Sequence, residues 1–243
     1  MKIKVIVPIT TEDFIEPTRK EVKKFASENT EINVECLKYG TASIESAYDE
    51  MLNAPSILEM AKKAESEGFD GIFIDCMGDP ALDAARELVD IPVVGPARVS
   101  MLYAADLAQR FSIVTVLENV LPLEENLALT AGVRNKLASV RSVDIPVLDL
   151  KDEEKLKKAL VNESVKAIEE DNAHAIVLGC TGMLGVADYL SKSLAQRGYK
   201  VPVIYPVAVS IKYLETLILL NLAQSKKTYM HPPVKKRNIL DRL

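Results

Sequence analysis

The sequence has few of the residues on which many protein scaffolds and sites depend. Its 243 residues include three cysteines, two histidines and no tryptophan. Three cysteines are an odd number and too few for a disulfide scaffold, so we expect free thiols in a reducing compartment. Neither His174 nor His231 has a spacing to cysteines or carboxylates that indicates metal ligation. We therefore expect no metal site.

Long apolar runs and nucleotide-binding motifs are also missing. The run from Tyr213 to Ala223 is short for a membrane span and contains Glu215 and Asn221. The apolar N-terminal run is too short for a signal peptide, so we expect a cytoplasmic protein with no membrane partner. The glycines of "GCTGMLG" (179–185) match neither a G-x-G-x-x-G turn nor a P-loop, and no C-x-x-C occurs. The sequence thus supports neither nucleotide binding nor thioredoxin-type redox chemistry.

The composition is that of a soluble α/β protein, with 48% hydrophobic and 27% charged residues. The net charge of −5 is unevenly distributed. The tail after Ser225 has six cations and one anion, a net charge of +5, which leaves −10 on the rest of the chain. An acidic body argues against nucleic acid as a partner. The basic tail (226–243) is interpreted as a solvated terminus or as a strap on a neighbouring subunit of a homo-oligomer. Abundant Lys and Glu with only three Gln favour a thermophilic source.

Apolar, β-rich runs alternate with helix-period segments along the whole chain, which is typical of βαβ units around parallel sheets. The predicted strands are 3–8, 32–38, 71–76, 91–95, 111–116, 143–148, 175–180 and 201–205. The predicted helices are 15–27, 56–66, 80–89, 97–109, 122–132, 152–170, 184–197 and 207–223. The fold class is therefore α/β, with two parallel four-stranded sheets flanked by helices.

The two halves of the chain look like diverged copies of one unit. "GIFIDCMGD" leads to a helix and then to "IPVVGPARVSML", and "AIVLGCTGM" leads to a helix and then to "VPVIYPVAVSIKYL". "KVIVPITTEDF" and "FSIVTVLENVL" correspond in the same way. Each copy places a Thr-bearing loop and a Cys-bearing loop at the carboxyl ends of neighbouring strands, where open α/β sheets bind ligands. The candidate substrate-binding residues are Thr10, Thr11, Gly78, Asp79, Thr115, Thr181 and Gly182.

Cys76 and Cys180 occupy equivalent positions in the two copies and are the candidate catalytic residues. A single cysteine at a strand end, such as Cys36 in its own strand, is more often a small buried hydrophobe. Asp79 and Pro80 predict an N-cap and a first helical residue within one turn of Cys76, and a helix N-terminus lowers a thiol pKa. Two equivalent thiols that face each other across a cleft suit a base and an acid that invert a stereocentre without a cofactor.

Four stretches carry a resemblance to a known family: "DCMGDPALDAARE", "RFSIVTV", "LASVRSVDIPVLDL" and "LGCTGM". With them, the chain resembles the aspartate/glutamate racemase superfamily, most closely its hydantoin and allantoin racemase branch. The resemblance implies two flavodoxin-like domains related by a pseudo-twofold axis, with Cys76 and Cys180 as acid and base. The expected domains are 1–96 plus 206–243, with a returning C-terminal helix, and 97–205.

The chain departs from that branch at positions that bear on the substrate. Val7 and Ile9 stand where the branch has asparagines in an "NPN" motif, and Arg98 stands in "GPARVS" where a Glu is common. The loss of two amides and the gain of a cation would suit an anionic substrate. Alternatively, Arg98 is a surface residue with no bearing on the substrate. The first candidate substrates are hydantoin- or allantoin-like, and an amino acid is the second candidate. Maleate cis–trans isomerisation and a non-catalytic ligand-binding module are the alternatives.

Overall fold

The computed structural model of the protein describes residues 1–236, and two parallel four-stranded sheets form its framework. The strands of the first sheet are β1 (Lys2–Val7), β2 (Glu31–Cys36), β3 (Gly71–Ile74) and β4 (Val93–Val94), in the order β2-β1-β3-β4. Those of the second are β5 (Phe111–Thr115), β6 (Leu137–Ser142), β7 (Ile176–Leu178) and β8 (Val203–Ile204), in the order β6-β5-β7-β8. The matching orders confirm the predicted fold class.

Eight helices cover the sheets within the described residues. They are α1 (Ile15–Phe25), α2 (Ala47–Ser66), α3 (Leu82–Leu88), α4 (Pro96–Leu107), α5 (Leu121–Thr130), α6 (Glu153–Glu169), α7 (Ala187–Gln196) and α8 (Pro206–Leu219). Because helices lie on both faces, the inner strands β3, β5 and β7 are buried along their whole length. Each helix of that set is too short or too polar to traverse a lipid bilayer.

Helix α8 returns from the second sheet to pack on the first. Leu214 and Ile218 lie directly over Gly71 of β3, where a side chain would collide with them. Glu215, which is 3% exposed, accepts hydrogen bonds from the Ser27 amide at 2.7 Å and the Thr30 hydroxyl at 2.7 Å. These contacts tie α8 to the end of α1. The domain division at 1–96 plus 206–243 and 97–205 stays our proposal.

Two predicted elements were placed wrongly. The strand predicted at 143–148 is instead β6 at Leu137–Ser142, because Asp144 has a left-handed φ of 55° that takes the following backbone out of the ladder. Helix α2 begins at Ala47 and not at 56, because the Ser46 side chain caps it by accepting the Asp49 amide. Pro55 lies inside this helix, where the sequence had suggested a helix start.

The described part of the basic tail, 226–236, is mostly exposed, as expected of a solvated terminus, and begins with contacts to its own chain. The strap on a neighbouring subunit stays a prediction. The Gln224 amide donates to the carbonyls of Val89 and Ile91, each at 2.8 Å. The Lys226 ammonium donates to the Val89 carbonyl at 2.6 Å. The segment therefore packs against the backbone at the C-terminal end of α3. The rest of the predicted tail, 237–243, lies outside the described residues.

Candidate active site

The two candidate catalytic cysteines lie at the carboxyl ends of β3 and β7 and face one cleft. Two adjoining cavities in this cleft have volumes of about 450 and 410 Å³, including space open to solvent, and both are lined by Cys76 and Cys180. Ile44, Met77 and Val147 also line both cavities. All three cysteines of the chain are free thiols, and Cys36 is buried outside these cavities. The duplicated unit thus brings its two cysteines together, as the sequence predicted.

The prediction that a helix N-terminus acidifies Cys76 is wrong. Helix α3 begins at Leu82, and the turn before it includes Asp79 and Ala81 with φ of 47° and 56°. Burial raises the pKa of the Cys76 thiol well above its usual range, and the backbone N–H of Gly78 only partly opposes this. The Cys76 thiol is therefore protonated at neutral pH.

Burial likewise raises the pKa of the Cys180 thiol, to about 12. The N–H groups of Gly182 and Met183 favour the thiolate, whereas the negative charges of Asp75 and Glu124 disfavour it. A negative charge on Cys180 also raises the pKa of Cys76, so ionisation of one thiol opposes ionisation of the other. Such a pair supplies one base and one acid rather than two bases.

Asp79 was predicted to cap the helix that follows it and to bind substrate, but in the structure it caps α4. Its carboxylate accepts the amides of Ala97 at 2.9 Å and Arg98 at 3.0 Å, so it caps α4. Asp79 is 8% exposed and is absent from the lining of both cavities. Burial raises its pKa to about 6. The residue is a structural cap beneath the cleft.

Thr10 and Thr11 were also predicted to bind substrate, but neither lines the cavities. The Thr10 hydroxyl donates to the Thr41 carbonyl at 3.2 Å, and the Thr11 hydroxyl donates to the Ala42 carbonyl at 2.6 Å. Both side chains therefore anchor the loop that precedes α2. The strand end itself meets the first cavity through Val7, Pro8 and Ile9.

The remaining predicted residues do lie on the cleft. Thr181 and Gly182 line the first cavity, and Gly78 and Thr115 line the second. The Thr115 hydroxyl donates to the Gly179 carbonyl at 2.9 Å, so it supports the second cysteine loop. A β-carbon at Gly78 would lie 2.0 Å from a carboxylate oxygen of Glu50, so a larger residue there would displace the Glu50 side chain. Their roles toward a substrate stay predictions.

Sequence reasoning missed three carboxyl groups that line the cleft. Asp75 lines the first cavity, is 5% exposed and has one oxygen, Oδ1, without a hydrogen-bond partner. Glu50 and Glu124 line the second cavity. Burial raises the pKa of Asp75 and Glu50 to about 7 each, and that of Glu124 well above its usual range. The position of Asp75 next to Cys76 in the sequence could have indicated its place in the cleft. The two glutamates lie on helices far from either cysteine in the sequence, which gave no such indication.

Comparison with known proteins identifies the family. The sequence profile described as Asp/Glu/Hydantoin racemase matches residues 3–214. The chain belongs to this family. A hydantoin racemase from Pseudomonas sp. (strain NS671) is 44% identical over 238 residues, which cover 97% of this chain and 94% of that protein. The chain is thus an isomerase of the racemase type, as the motifs indicated.

Two solved racemase structures share the whole architecture. The allantoin racemase from Klebsiella pneumoniae superimposes with a TM-score of 0.91 at 36% identity, covering 100% of this chain and 98% of that one. The allantoin racemase from Pseudomonas fluorescens gives a TM-score of 0.91 at 31% identity, covering 98% and 100%. The two-sheet framework described above is therefore that of the racemases.

The cleft of this racemase has an acidic character. Among the residues that the structure describes, no Lys, Arg or His lines either cavity. Arg98, considered as a cation for substrate, instead donates to the Tyr229 hydroxyl at 3.0 Å and to Asp83 at 3.3 Å. Residues 1–236 contain no cluster of three or more His, Cys, Asp or Glu that would hold a metal ion. Arg98 is thus a structural residue on the first turn of α4.

Proposed function

We propose that this racemase inverts a stereocentre of a neutral ring ureide, such as a 5-substituted hydantoin or allantoin, by cofactor-independent proton transfer between Cys76 and Cys180. The observation that carries the proposal is the convergence of both cysteines on cavities without a cation. The names of the relatives, a hydantoin racemase and two allantoin racemases, support the same substrate class.

The proposed reaction uses the two thiols in opposite roles. The thiolate of one cysteine takes the proton from the stereocentre, whose neighbouring carbonyl makes that C–H bond acidic and delocalises the electron pair as an enolate. The thiol of the other cysteine then delivers its proton to the opposite face, and the reverse reaction exchanges the roles. Backbone N–H groups of the two cysteine loops, at Gly78 and Gly182, are suitable donors toward developing negative charge.

The charge of the cleft favours a neutral substrate over an amino acid or maleate. An amino acid or a dicarboxylate would bring one or two carboxylates toward Asp75 and Glu50, whose pKa values are about 7, with no cavity-lining cation in the described residues to offset them. Like charges brought together in a partly desolvated site oppose binding. The acidic substrate that Arg98 had suggested is therefore not supported.

Chiral chromatography on a panel of single enantiomers tests the proposal. The panel contains 5-benzylhydantoin, 5-isopropylhydantoin, allantoin, aspartate, glutamate and maleate, at pH 7.5 with an enzyme-free control for spontaneous racemisation. We expect racemisation of at least one hydantoin or of allantoin. Turnover of the amino acids or of maleate with all the ureides inert would overturn the proposed substrate class.

Deuterium exchange tests the two-thiol mechanism separately. Cys76→Ala and Cys180→Ala should each abolish racemisation, while each still exchanges the proton of a single enantiomer with solvent deuterium. The two variants should exchange opposite enantiomers, because each retains the base of one face. Cys36→Ala is the matched control, since that thiol lies outside the cavities, and it should racemise as the wild type does. Full turnover by either active-site variant would refute the mechanism.

Three further expectations from the sequence belong with this proposal. We propose that the enzyme is a cytoplasmic homo-oligomer from a thermophilic source. Size-exclusion chromatography with light scattering tests the oligomer, and a thermal melt tests the thermophilic character. A monomer in the first measurement, or a melting temperature in the ordinary mesophilic range of about 45–65 °C in the second, would contradict them.

A further inference from the structure

The Glu124 side chain is the least explained polar group of the cleft. It lies on the first turn of α5 and is 4% exposed, yet it lines the second cavity beside both cysteines. Its Oε2 atom is buried and has no hydrogen-bond partner. Buried polar atoms are seldom left unpaired, because the loss of water goes uncompensated. An unpaired carboxyl oxygen at a cavity wall therefore points to a partner that arrives with a ligand.

The ionisation state of Glu124 limits which ligand fits. Burial raises the pKa of this carboxyl well above its usual range, and the negative charges of Asp79 and Glu50 act in the same direction. Glu124 is thus a neutral acid at neutral pH, with one O–H donor and one carbonyl acceptor side by side. A cyclic amide presents the matching edge, an N–H next to a C=O. The two edges can form a pair of parallel hydrogen bonds.

We propose that Glu124 binds the N–H–C=O edge of the substrate ring and so selects ureide rings for racemisation. This inference rests on the proposed function. Apolar side chains frame the carboxyl, since Leu123 and Leu127 of the same helix line the same cavity. A ring held at one edge by Glu124 has its stereocentre placed relative to the two sulfur atoms. Glu124 is a binding and specificity residue and takes no part in the proton transfer.

Substitution of Glu124 separates this role from mere packing. In Glu124→Leu, the unpaired buried Oε2 disappears, so we expect a melting temperature equal to or above that of the wild type. The same variant should lose about tenfold or more in kcat/KM for the hydantoin, chiefly through KM, because the ring edge loses both hydrogen bonds. Glu124→Gln keeps a neutral donor and acceptor and should stay within about threefold of the wild type.

Glu125→Leu is the matched control on the next position of the helix. Glu125 is exposed and its carboxylate lies 3.6 Å from Arg134, away from the cavities. The control should keep the wild-type kcat/KM. A folded Glu124→Leu variant with wild-type kcat/KM would overturn the inference, as would equal losses in the Leu and Gln variants.

Methylated substrates test the contact from the other side. We expect 5-benzylhydantoin methylated at N1 or at N3 to lose about tenfold or more in kcat/KM with the wild type for one of the two positions, and the penalty to shrink in Glu124→Leu. Absence of any penalty, or the same penalty in both proteins, would refute the assignment. The unmethylated ureides distinguish the two proposals: if the wild type racemises none of them, the proposed function fails, whereas turnover without coupling refutes Glu124 alone.

Discussion

The Thr181 hydroxyl donates a hydrogen bond of 3.1 Å to the backbone carbonyl of Asp75. Each of these residues is the immediate neighbour of one cleft cysteine, Thr181 of Cys180 and Asp75 of Cys76. The bond therefore joins the loop after β7 to the loop after β3 and fixes how the two thiols face each other. Thr181 is 6% exposed, so water does not compete freely for this bond. Proton transfer on both faces of one carbon requires this kind of fixed geometry.

Removal of the Thr181 hydroxyl should damage turnover more than binding. Thr181→Val leaves a buried carbonyl without its donor, and we expect the free energy of unfolding to fall by about 1 to 3 kcal/mol. The kcat should fall by more than the KM rises, because the two sulfur atoms lose their relative position. Thr181→Ser keeps the hydroxyl and should preserve both properties. Urea denaturation and steady-state racemisation measure them, and wild-type kcat in the valine variant would contradict this role.

The thiol pKa values predict the pH dependence of the enzyme. Burial raises the pKa of Cys180 to about 12 and that of Cys76 well above its usual range, so the thiolate fraction of the free enzyme is small at pH 7. We expect kcat/KM to rise by about tenfold per pH unit from pH 7 to 9, because the fraction of enzyme with one thiolate rises tenfold per unit below the thiol pKa. A bell-shaped profile centred near pH 7 would contradict this.

Alkylation follows from the same values. Iodoacetamide should label both cleft cysteines more slowly than a free thiol at pH 7.5, because the thiolate is the reactive form. Slow labelling does not by itself favour the non-catalytic binding module, because an active racemase with protonated thiols shows it too. Full-length mass spectrometry over time measures it, with the denatured protein as the fast reference.

The sequence predicted those features that repeat along the chain. The alternation of strands and helices, the duplicated unit and the equivalence of Cys76 and Cys180 are local patterns, and all of them survive in the structure. The prediction of a strand at 143–148 is wrong because the apolar pattern there is that of a strand, whereas the left-handed backbone of Asp144 ends the ladder. Hydrophobic pattern alone does not report such a backbone angle.

The acidic lining of the cleft could not be predicted from one sequence. Glu50 and Glu124 belong to helices far apart in the chain and meet only because both sheets direct their loops to one cleft. Asp79 showed the opposite difficulty, since "GDP" is a good local helix start, yet its carboxylate caps α4 instead. Long-range contacts decided both outcomes, and sequence spacing does not contain them.

The cap that Asp79 places on α4 should contribute measurably to stability. Asp79→Ala removes the acceptor for two buried amides and puts alanine at a φ of 47°, so we expect a loss of about 1 to 2 kcal/mol in the free energy of unfolding. Asp79→Asn should lose less, because asparagine keeps an acceptor and tolerates that backbone angle. Asp83→Ala, an exposed neighbour, is the control, and equal stability of the two alanine variants would refute the cap.

Asp75 should make the stability of the enzyme depend on pH. Burial raises its pKa to about 7, so the folded state holds this proton more tightly than the unfolded state. Its contribution to stability is therefore complete below about pH 4 and is lost as the pH rises to about 7. Asp75→Asn removes this dependence.

Urea denaturation at pH 4.5 and pH 8 measures the effect. Relative to the wild type, Asp75→Asn should gain about 1 to 4 kcal/mol in unfolding free energy between the two pH values. Asp70→Asn is the matched control, because Asp70 precedes the same strand, is exposed and accepts only the Lys2 amide among the described hydrogen bonds. The loss of the Asp75 charge should also raise the alkylation rates of Cys76 and Cys180 at pH 8, since that charge raises the pKa of both thiols. Parallel pH dependence in wild type and Asp75→Asn would show that the buried carboxyl is not protonated as we infer.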